Sequence, residues 1–193
     1  MRIIAGQAKG KRLSPLPRQE VRPTTNFARE ALFNLLSPPI GQDFCDLYAG
    51  SGAVGMEALS RGARRAVFVE KNRTAAALIK KNATHCGFAD KCEVLIESVG
   101  TAIAKMAGRG ESFDVLFADP PYLASSLAET LRLLITGDLL KHDGVLIIQH
   151  APFDSLPEPL LPCRFSLEDR RKYGNTIFSF FKINPREKEM SSL

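Results

Sequence analysis

No two of the four cysteines, Cys45, Cys86, Cys92 and Cys163, are spaced as C-x-x-C. Neither a disulfide framework nor a common zinc motif is therefore expected, and the thiols should stay reduced, as in a cytoplasm. His85 stands beside Cys86, but three local donors at this spacing match no familiar zinc pattern, so no metal is expected. No stretch approaches the roughly 18 apolar residues of a membrane span, and the first residues lack the apolar core of a leader peptide. A membrane or secreted protein is thus not expected. Acid is scarce at the start of the chain. Residues 1–29 carry Arg2, Lys9, Lys11, Arg12, Arg18, Arg22 and Arg29 against Glu20 alone, a net of +6 that leaves the remainder at −1 of the total +5. A basic arm ahead of a near-neutral body suits a phosphate backbone, although a solubilising face or an arm packed on the body has the same composition. With 193 residues, 45% of them hydrophobic, the chain can bury one full core without staples.

What the chain does have is punctuation at strand ends. Residues 113–118 form an apolar run that reads as a buried strand, and it leads into Asp119-Pro120-Pro121-Tyr122. Two prolines fix φ and remove two N–H donors, so this turn presents carbonyls and a carboxylate without competing donors. A carboxylate and a free carbonyl can accept both hydrogens of a planar amino group while an adjacent ring stacks on the base that carries it. An Asp-Pro turn closing a strand, with Tyr122 as packing, satisfies the same residues. About 70 residues upstream, Gly50-Ser51-Gly52-Ala53-Val54-Gly55 lies between a strand over 44–49 and a helix that Gly62 stops. Glycines there allow close backbone approach and aim helix N–H groups at a ligand. A second strand, 66–70, ends in Glu70, about 20 residues beyond the first glycine, where a carboxylate can bind ribose hydroxyls. Capping of the following helix is the alternative for Glu70. Asp46, inside the first strand, suggests a cationic ligand rather than a nicotinamide, unless it is a buried acid paired elsewhere.

A coarse pass predicts a short strand at residues 2–4, a glycine-containing hairpin or loop with basic tips over 6–13, and helices over 26–36, 72–85, 100–107 and 124–135. Further strands are predicted at 93–96 and 144–148, and an antiparallel hairpin is predicted from 165–172 and 176–183 around Tyr173-Gly174-Asn175. The first long helix should bury Phe27, Ala31, Leu32, Leu35 and Leu36. Alternation of strands and helices implies an α/β fold with a doubly wound, mostly parallel sheet and an antiparallel addition at the end. Gly50, Glu70, Ser98 and Asp119 all fall at predicted carboxyl ends of strands, where such sheets bind ligands. The expected division is a basic arm over 1–25, a body over 26–183 and a frayed tail over 184–193.

Asp46 through Gly52 and Asp119 through Tyr122 together resemble the class I S-adenosylmethionine-dependent methyltransferases, which implies a Rossmann-like, seven-stranded sheet. Arg2-Ile3-Ile4-Ala5-Gly6, Arg22-Pro23-Thr24, Arg29-Glu30-Ala31-Leu32-Phe33-Asn34 and Glu57-Ala58-Leu59-Ser60-Arg61-Gly62 narrow the resemblance to the RsmD family, over about residues 2–182. That resemblance implies methylation of the exocyclic N2 of one guanine in small-subunit (16S) ribosomal RNA, free or within an assembling subunit, in the cytoplasm and with no obligate protein partner. It implies S-adenosylmethionine as cofactor, leaving as S-adenosylhomocysteine. Asp46, Tyr48, Ala49, Gly50, Ser51, Gly52, Ala53 and Gly55 would hold its methionine part, Glu70 with Lys71 the ribose, and Ser98 with Val99 the adenine, Asp119 also lining the site. Asp119, Pro120, Pro121 and Tyr122 would hold the guanine, and Arg2, Lys9, Lys11, Arg12, Arg22, Thr24 and Arg29 the RNA. Ser98 departs from the family's usual Asp or Asn, and Ala28 from its usual valine. DNA amino-methyltransferases share both motifs but carry a recognition region for which about 70 residues on either side leave little room. A release-factor glutamine methyltransferase would give the basic arm no purpose, and a non-catalytic RNA-binding module would have no use for an intact Asp119 to Tyr122 turn.

Overall fold

The computed structural model of the protein describes residues 1–16, 26–36, 38–121, 124–152 and 164–184. Its elements follow in the order α1 (Asn26–Leu35), β1 (Asp43–Asp46), α2 (Ala53–Ser60), β2 (Arg65–Val69), α3 (Arg73–Cys86), β3 (Cys92–Leu95), α4 (Val99–Gly108), β4 (Phe113–Ala118), α5 (Ala124–Gly137), β5 (Leu140–His150), β6 (Phe165–Tyr173) and β7 (Thr176–Ile183). The strands make a seven-stranded sheet of order β3-β2-β1-β4-β5-β7-β6. The chain divides into two compact units, residues 1–102 and 103–193.

In the first unit β1 pairs in parallel with β2 and β2 with β3. Parallel strands covered on both faces are near-continuously apolar, and Ala66, Val67, Phe68 and Val69 of β2 are all buried. Helix α2 packs on β1 and β2, and α3 packs on β3. Local sequence sets the limits of α3. The Asn72 side chain accepts hydrogen bonds from the Thr74 and Ala75 N–H groups at its start, and Gly87, at φ +84°, ends it in the left-handed conformation. In the second unit β4 pairs in parallel with β5, β5 in antiparallel with β7, and β7 with β6. β5 starts four residues before the predicted strand and ends two after it.

Of the expectations for the first unit, the hairpin or loop over 6–13 is present, while the strand at 2–4 and the buried face of α1 are corrected. The segment folds back on itself, with an antiparallel bridge between Arg2 and Arg12, the Ile3 N–H donating to the Lys11 carbonyl and the Leu13 N–H to the Met1 carbonyl, both at 3.0 Å, but the strand shrinks to that bridge. In α1 the buried residues are Ala28, Arg29, Leu32 and Phe33, while Phe27 is 68% exposed and Leu35 38% exposed. The turn of the helix is set by Arg29, whose guanidinium is drawn inward. Its Nε lies 3.6 Å from Glu57 Oε2, and its Nη2 donates to the Arg2 carbonyl at 2.5 Å.

Glu57, on α2, has no exposed surface and is the hub of this unit. Its carboxylate accepts the backbone N–H of Ile4 at 2.9 Å and of Ala5 at 3.0 Å, together with Arg61 Nε at 2.9 Å. The Arg61 guanidinium also lies 5.0 Å from the centre of the Phe33 ring, which links α2 to α1 by a cation–π contact. Ser60 continues the attachment. Its Oγ donates to the Ala5 carbonyl at 2.5 Å and accepts from the Ala8 N–H at 3.0 Å, and its own carbonyl accepts from the Gln7 N–H at 2.8 Å. Gly6 permits so close a crossing: at φ +81°, a Cβ there would lie 1.8 Å from the Ser60 carbonyl oxygen. Ile3, Ala8 and Leu13 are buried beneath the arm, so the arm over 1–14 packs on the body and points its cations outward.

Breaking a buried, hydrogen-bonded ion pair from one side leaves an uncompensated charge. Glu57→Gln is expected to lower unfolding free energy by about 3–5 kcal/mol in urea titrations. A loss below about 1 kcal/mol, the scale of an exposed pair, would mean that apolar burial alone seats the arm.

Candidate functional site

The glycine turn of the first unit follows β1, and its three glycines answer different demands. Gly50 has φ +53°, and a Cβ there would meet nothing within 4 Å, so its backbone faces open space. Gly52 lies in the left-handed region at φ +78° at the head of α2, where a Cβ would press on Ile79 at 3.1 Å. Gly55 is a packing residue: a Cβ would overlap the Phe68 ring at 2.4 Å, so glycine lets α2 lie against β2. Glu70, at the end of β2, accepts the Gly50 N–H at 2.9 Å through one oxygen and the Asn72 N–H at 2.8 Å through the other. The cap of α3 is Asn72, so Glu70 instead fastens the glycine turn to the start of α3. A further tie comes from buried Asn82, whose Nδ2 donates to the Ser51 carbonyl at 3.3 Å while its Oδ1 accepts the Ser14 N–H at 2.9 Å.

Around this turn Asp46 is buried at the end of β1, Ala49 and Ala53 are buried, Tyr48 and Ser51 are half-buried, and Lys71 is exposed beside Glu70. The donor set fits an adenosine-bearing cation. It offers open backbone at Gly50, a carboxylate at each of two strand ends, and the free N–H groups of the first turn of α2. Ser98, beyond β3, is exposed, and its hydroxyl is occupied with its own helix. It bonds Thr101 Oγ1 at 2.9 Å and accepts the Thr101 N–H at 3.3 Å, which caps α4, of which Val99 is the first residue. The Ser98 hydroxyl is thus committed to the start of α4.

In the second unit Asp119 follows β4 directly, half-buried, with Pro120 buried and Pro121 exposed. Gln149 Nε2 donates to Asp119 Oδ2 at 3.0 Å. Gln149 is 2% exposed and lies on β5 one residue past the Ala118–Ile148 pair, so the sheet itself sets this contact. Burial raises the Asp119 carboxyl from its ordinary 3.8 to about 7. The Gln149 amide opposes that rise by favouring the anion, and burial prevails. With Oδ2 engaged, Oδ1 is the oxygen directed to any further donor. The neighbouring His150 binds elsewhere, Nδ1 to the Ala151 carbonyl at 3.0 Å and Nε2 to Ser179 Oγ at 2.9 Å.

Of the residues expected to contact RNA, Arg2, Lys9, Lys11 and Arg12 are exposed on the arm. Lys11 also donates to the His85 and Cys86 carbonyls at 3.1 and 3.2 Å, closing the C-terminal end of α3. Arg29 is removed from the set, because it is fully buried against Glu57. Tyr122, Arg22 and Thr24 lie outside the described residues. Sequence reasoning missed Gln149, Glu57 and Asn82. The signal for Gln149 was a polar residue directly after the apolar run 145–148; the other two carry no local signal. Among the described residues no cluster of His, Cys, Asp and Glu is arranged to hold a metal, and no helix is long and apolar enough to cross a membrane.

The family described as Conserved hypothetical protein 95 matches residues 1–182. Ribosomal RNA small subunit methyltransferase D of Escherichia coli (strain K12) is 32% identical over 183 residues, covering 94% of this chain and 89% of its own. The solved structure of a hypothetical protein, TTHA0928, of Thermus thermophilus superposes with a TM-score of 0.78 at 33% identity, covering 93% of this chain and 98% of that one. The crystal structure of SMU.776 complexed with SAH has a TM-score of 0.67 at 14% identity, covering 81% of this chain and 48% of its own, and shares the fold alone.

An acid whose folded pKa lies above its unfolded value favours the fold when protonated. The Asp119 contribution is therefore complete below about pH 4, declines as pH rises, and levels off above about pH 7. Asp119→Asn is expected to remove this slope, so that the variant gains on the parent in urea midpoint across that window; a constant difference would show an ordinary carboxyl. Gln149→Leu, which deletes the donor to the anion, is expected to move the upper end of the window to higher pH.

Proposed function

The chain belongs to the family described as Conserved hypothetical protein 95, the RsmD family, and on that footing we propose that it methylates the exocyclic N2 of a guanine in 16S ribosomal RNA, using S-adenosylmethionine. The observation that carries this reading is the Asp119–Pro120 turn. It is a half-buried carboxylate with one oxygen pinned by Gln149, followed by two prolines that bring no N–H donor to compete for it. The fold and the relative named for small-subunit ribosomal RNA support it.

In this proposal Asp46 neutralises the cofactor's ammonium, the Gly50 to Gly55 turn cradles its methionine part, and Glu70 accepts the ribose hydroxyls. S-adenosylmethionine, when bound, supplies a methyl group on a positively charged sulfur. An exocyclic aromatic amine is a poor nucleophile because its lone pair is delocalised into the ring. Asp119 Oδ1 and the Pro120 carbonyl accept its two hydrogens and favour a pyramidal nitrogen with the lone pair free. With the cofactor held by Asp46, the Gly50 to Gly55 turn and Glu70, this nitrogen would take the methyl, sulfur keeping the electron pair of the C–S bond, and the methylated nitrogen would pass one proton to water. Asp119, titrating near 7, serves in its ionised form by holding the amine, so transfer depends chiefly on position and charge. Tyr122 would stack on the unstacked base, and the outward cations Arg2, Lys9, Lys11 and Arg12 would contact the phosphate backbone. The substrate places the protein in the cytoplasm.

Labelled S-adenosylmethionine offered with unmodified small subunits, free ribosomal RNA, DNA and release factor, followed by mass spectrometry of the methylated atom, tests the reading. Label on guanine N2 of the ribosomal RNA is expected; label confined to DNA or protein would overturn it. Asp119→Ala is expected to lose at least about a hundredfold in turnover while binding S-adenosylhomocysteine like the parent in calorimetry. Near-normal turnover would remove Asp119 from the reaction.

A further inference from the structure

The basic surface does not stop at the arm. Helix α3 contains no acidic residue, and its exposed side carries Arg73, Lys80 and Lys81 at spacings that put them on one face, with exposed Ala77 and Thr84 between and beyond them. Lys11 binds the last carbonyls of this helix and Ser14 binds Asn82 within it, so the arm lies along the half of α3 that bears the lysines. Some surface cations elsewhere are answered by carboxylates, as in Lys141–Asp114 at 2.7 Å, Arg171–Asp169 at 2.7 Å and Arg109–Glu111 at 3.3 Å. Lys9, Arg12, Arg73, Lys80 and Lys81 make no ion pair with any described carboxylate. Asp90, one turn past the helix, is the exposed acid close to it in sequence. A run of uncompensated cations across two elements that the fold fastens together repels itself, and an anionic partner relieves that repulsion.

We propose that α3 forms the second half of the RNA-binding surface, with Lys80 and Lys81 contacting phosphates of the ribosomal RNA in continuation of Lys9 and Arg12. This rests on the ribosomal RNA reading above. The partner is a nucleic-acid backbone, because the cations follow a helix face with small residues between them and the face shows no large apolar side chain of the kind that anchors a protein partner. Each phosphate contact releases condensed counterions, so the lysines should register in the salt dependence of binding.

The test compares the full-length protein with the Lys80→Gln, Lys81→Gln double variant and the Lys80→Arg, Lys81→Arg double variant on an unmodified small-subunit ribosomal RNA fragment. The glutamine variant is expected to bind on the order of tenfold more weakly near physiological salt, with the slope of log K against log salt shallower by about 1.5, from roughly 0.7–0.9 per contact. S-adenosylhomocysteine affinity and thermal midpoint should match the parent, and the arginine variant should restore both RNA affinity and slope. Unchanged affinity and slope in the glutamine variant would overturn the proposal. In a parallel titration with assembled small subunits, a loss seen there but not with the fragment would also overturn it and assign the face to an acidic ribosomal protein. Failure of the parent itself to methylate ribosomal RNA would instead sink the underlying reading, so the two failures are distinguishable.

Discussion

A carboxylate removed from water must find its donors inside the protein, and the arrangement of the first unit follows from how Glu57 finds them. Two are backbone N–H groups of the arm, one is Arg61, and the remaining charge is balanced by Arg29 on α1. One side chain on α2 thereby fixes the arm, the first helix and the helix that opens from the glycine turn. The fully buried arginine looks anomalous alone, but its partner would be the costlier group without it. The inward turn of Arg29 also explains why Phe27 faces solvent while Phe33 meets Phe44 at 6.3 Å.

The second unit solves the same problem in the opposite way. Among the described residues Asp119 is met by one neutral amide and by no cation, so burial dominates and its carboxyl sits near neutrality. A buried carboxylate held by one amide, its carboxyl at about 7, can change charge state for little energy near neutral pH.

Much of this was legible in local sequence, and the reason is that turns and caps are local. The helix expected over 72–85 lies within a residue of α3 at each end, and β7 has the predicted limits, because alternating apolar residues and a Tyr-Gly-Asn turn act over a few positions. The Asp119 turn and the glycine turn were visible for the same reason. What stayed hidden spans long separations. Glu57 meets Ile4 across 53 positions, Asn82 meets Ser14 across 68, and Gln149 meets Asp119 across 30. The face of α1 was misassigned because hydrophobic periodicity has no place for an arginine that belongs in the core. Composition likewise revealed the basic arm but not that it lies along α3, where its charge joins a second set.

The close crossing of Gly6 over Ser60 bears on how the first residues can be manipulated. Ile3, Ala8 and Leu13 are as much core as any residue of β2, and the arm supplies hydrogen bonds to Glu57, Ser60 and Asn82. A chain shortened by its first 14 residues would leave a stranded buried carboxylate and an apolar trench along α2 and α3, so its inactivity would report misfolding rather than lost recognition. Only the outward side chains of the arm, such as Lys9 and Arg12, can be altered without disturbing its seat.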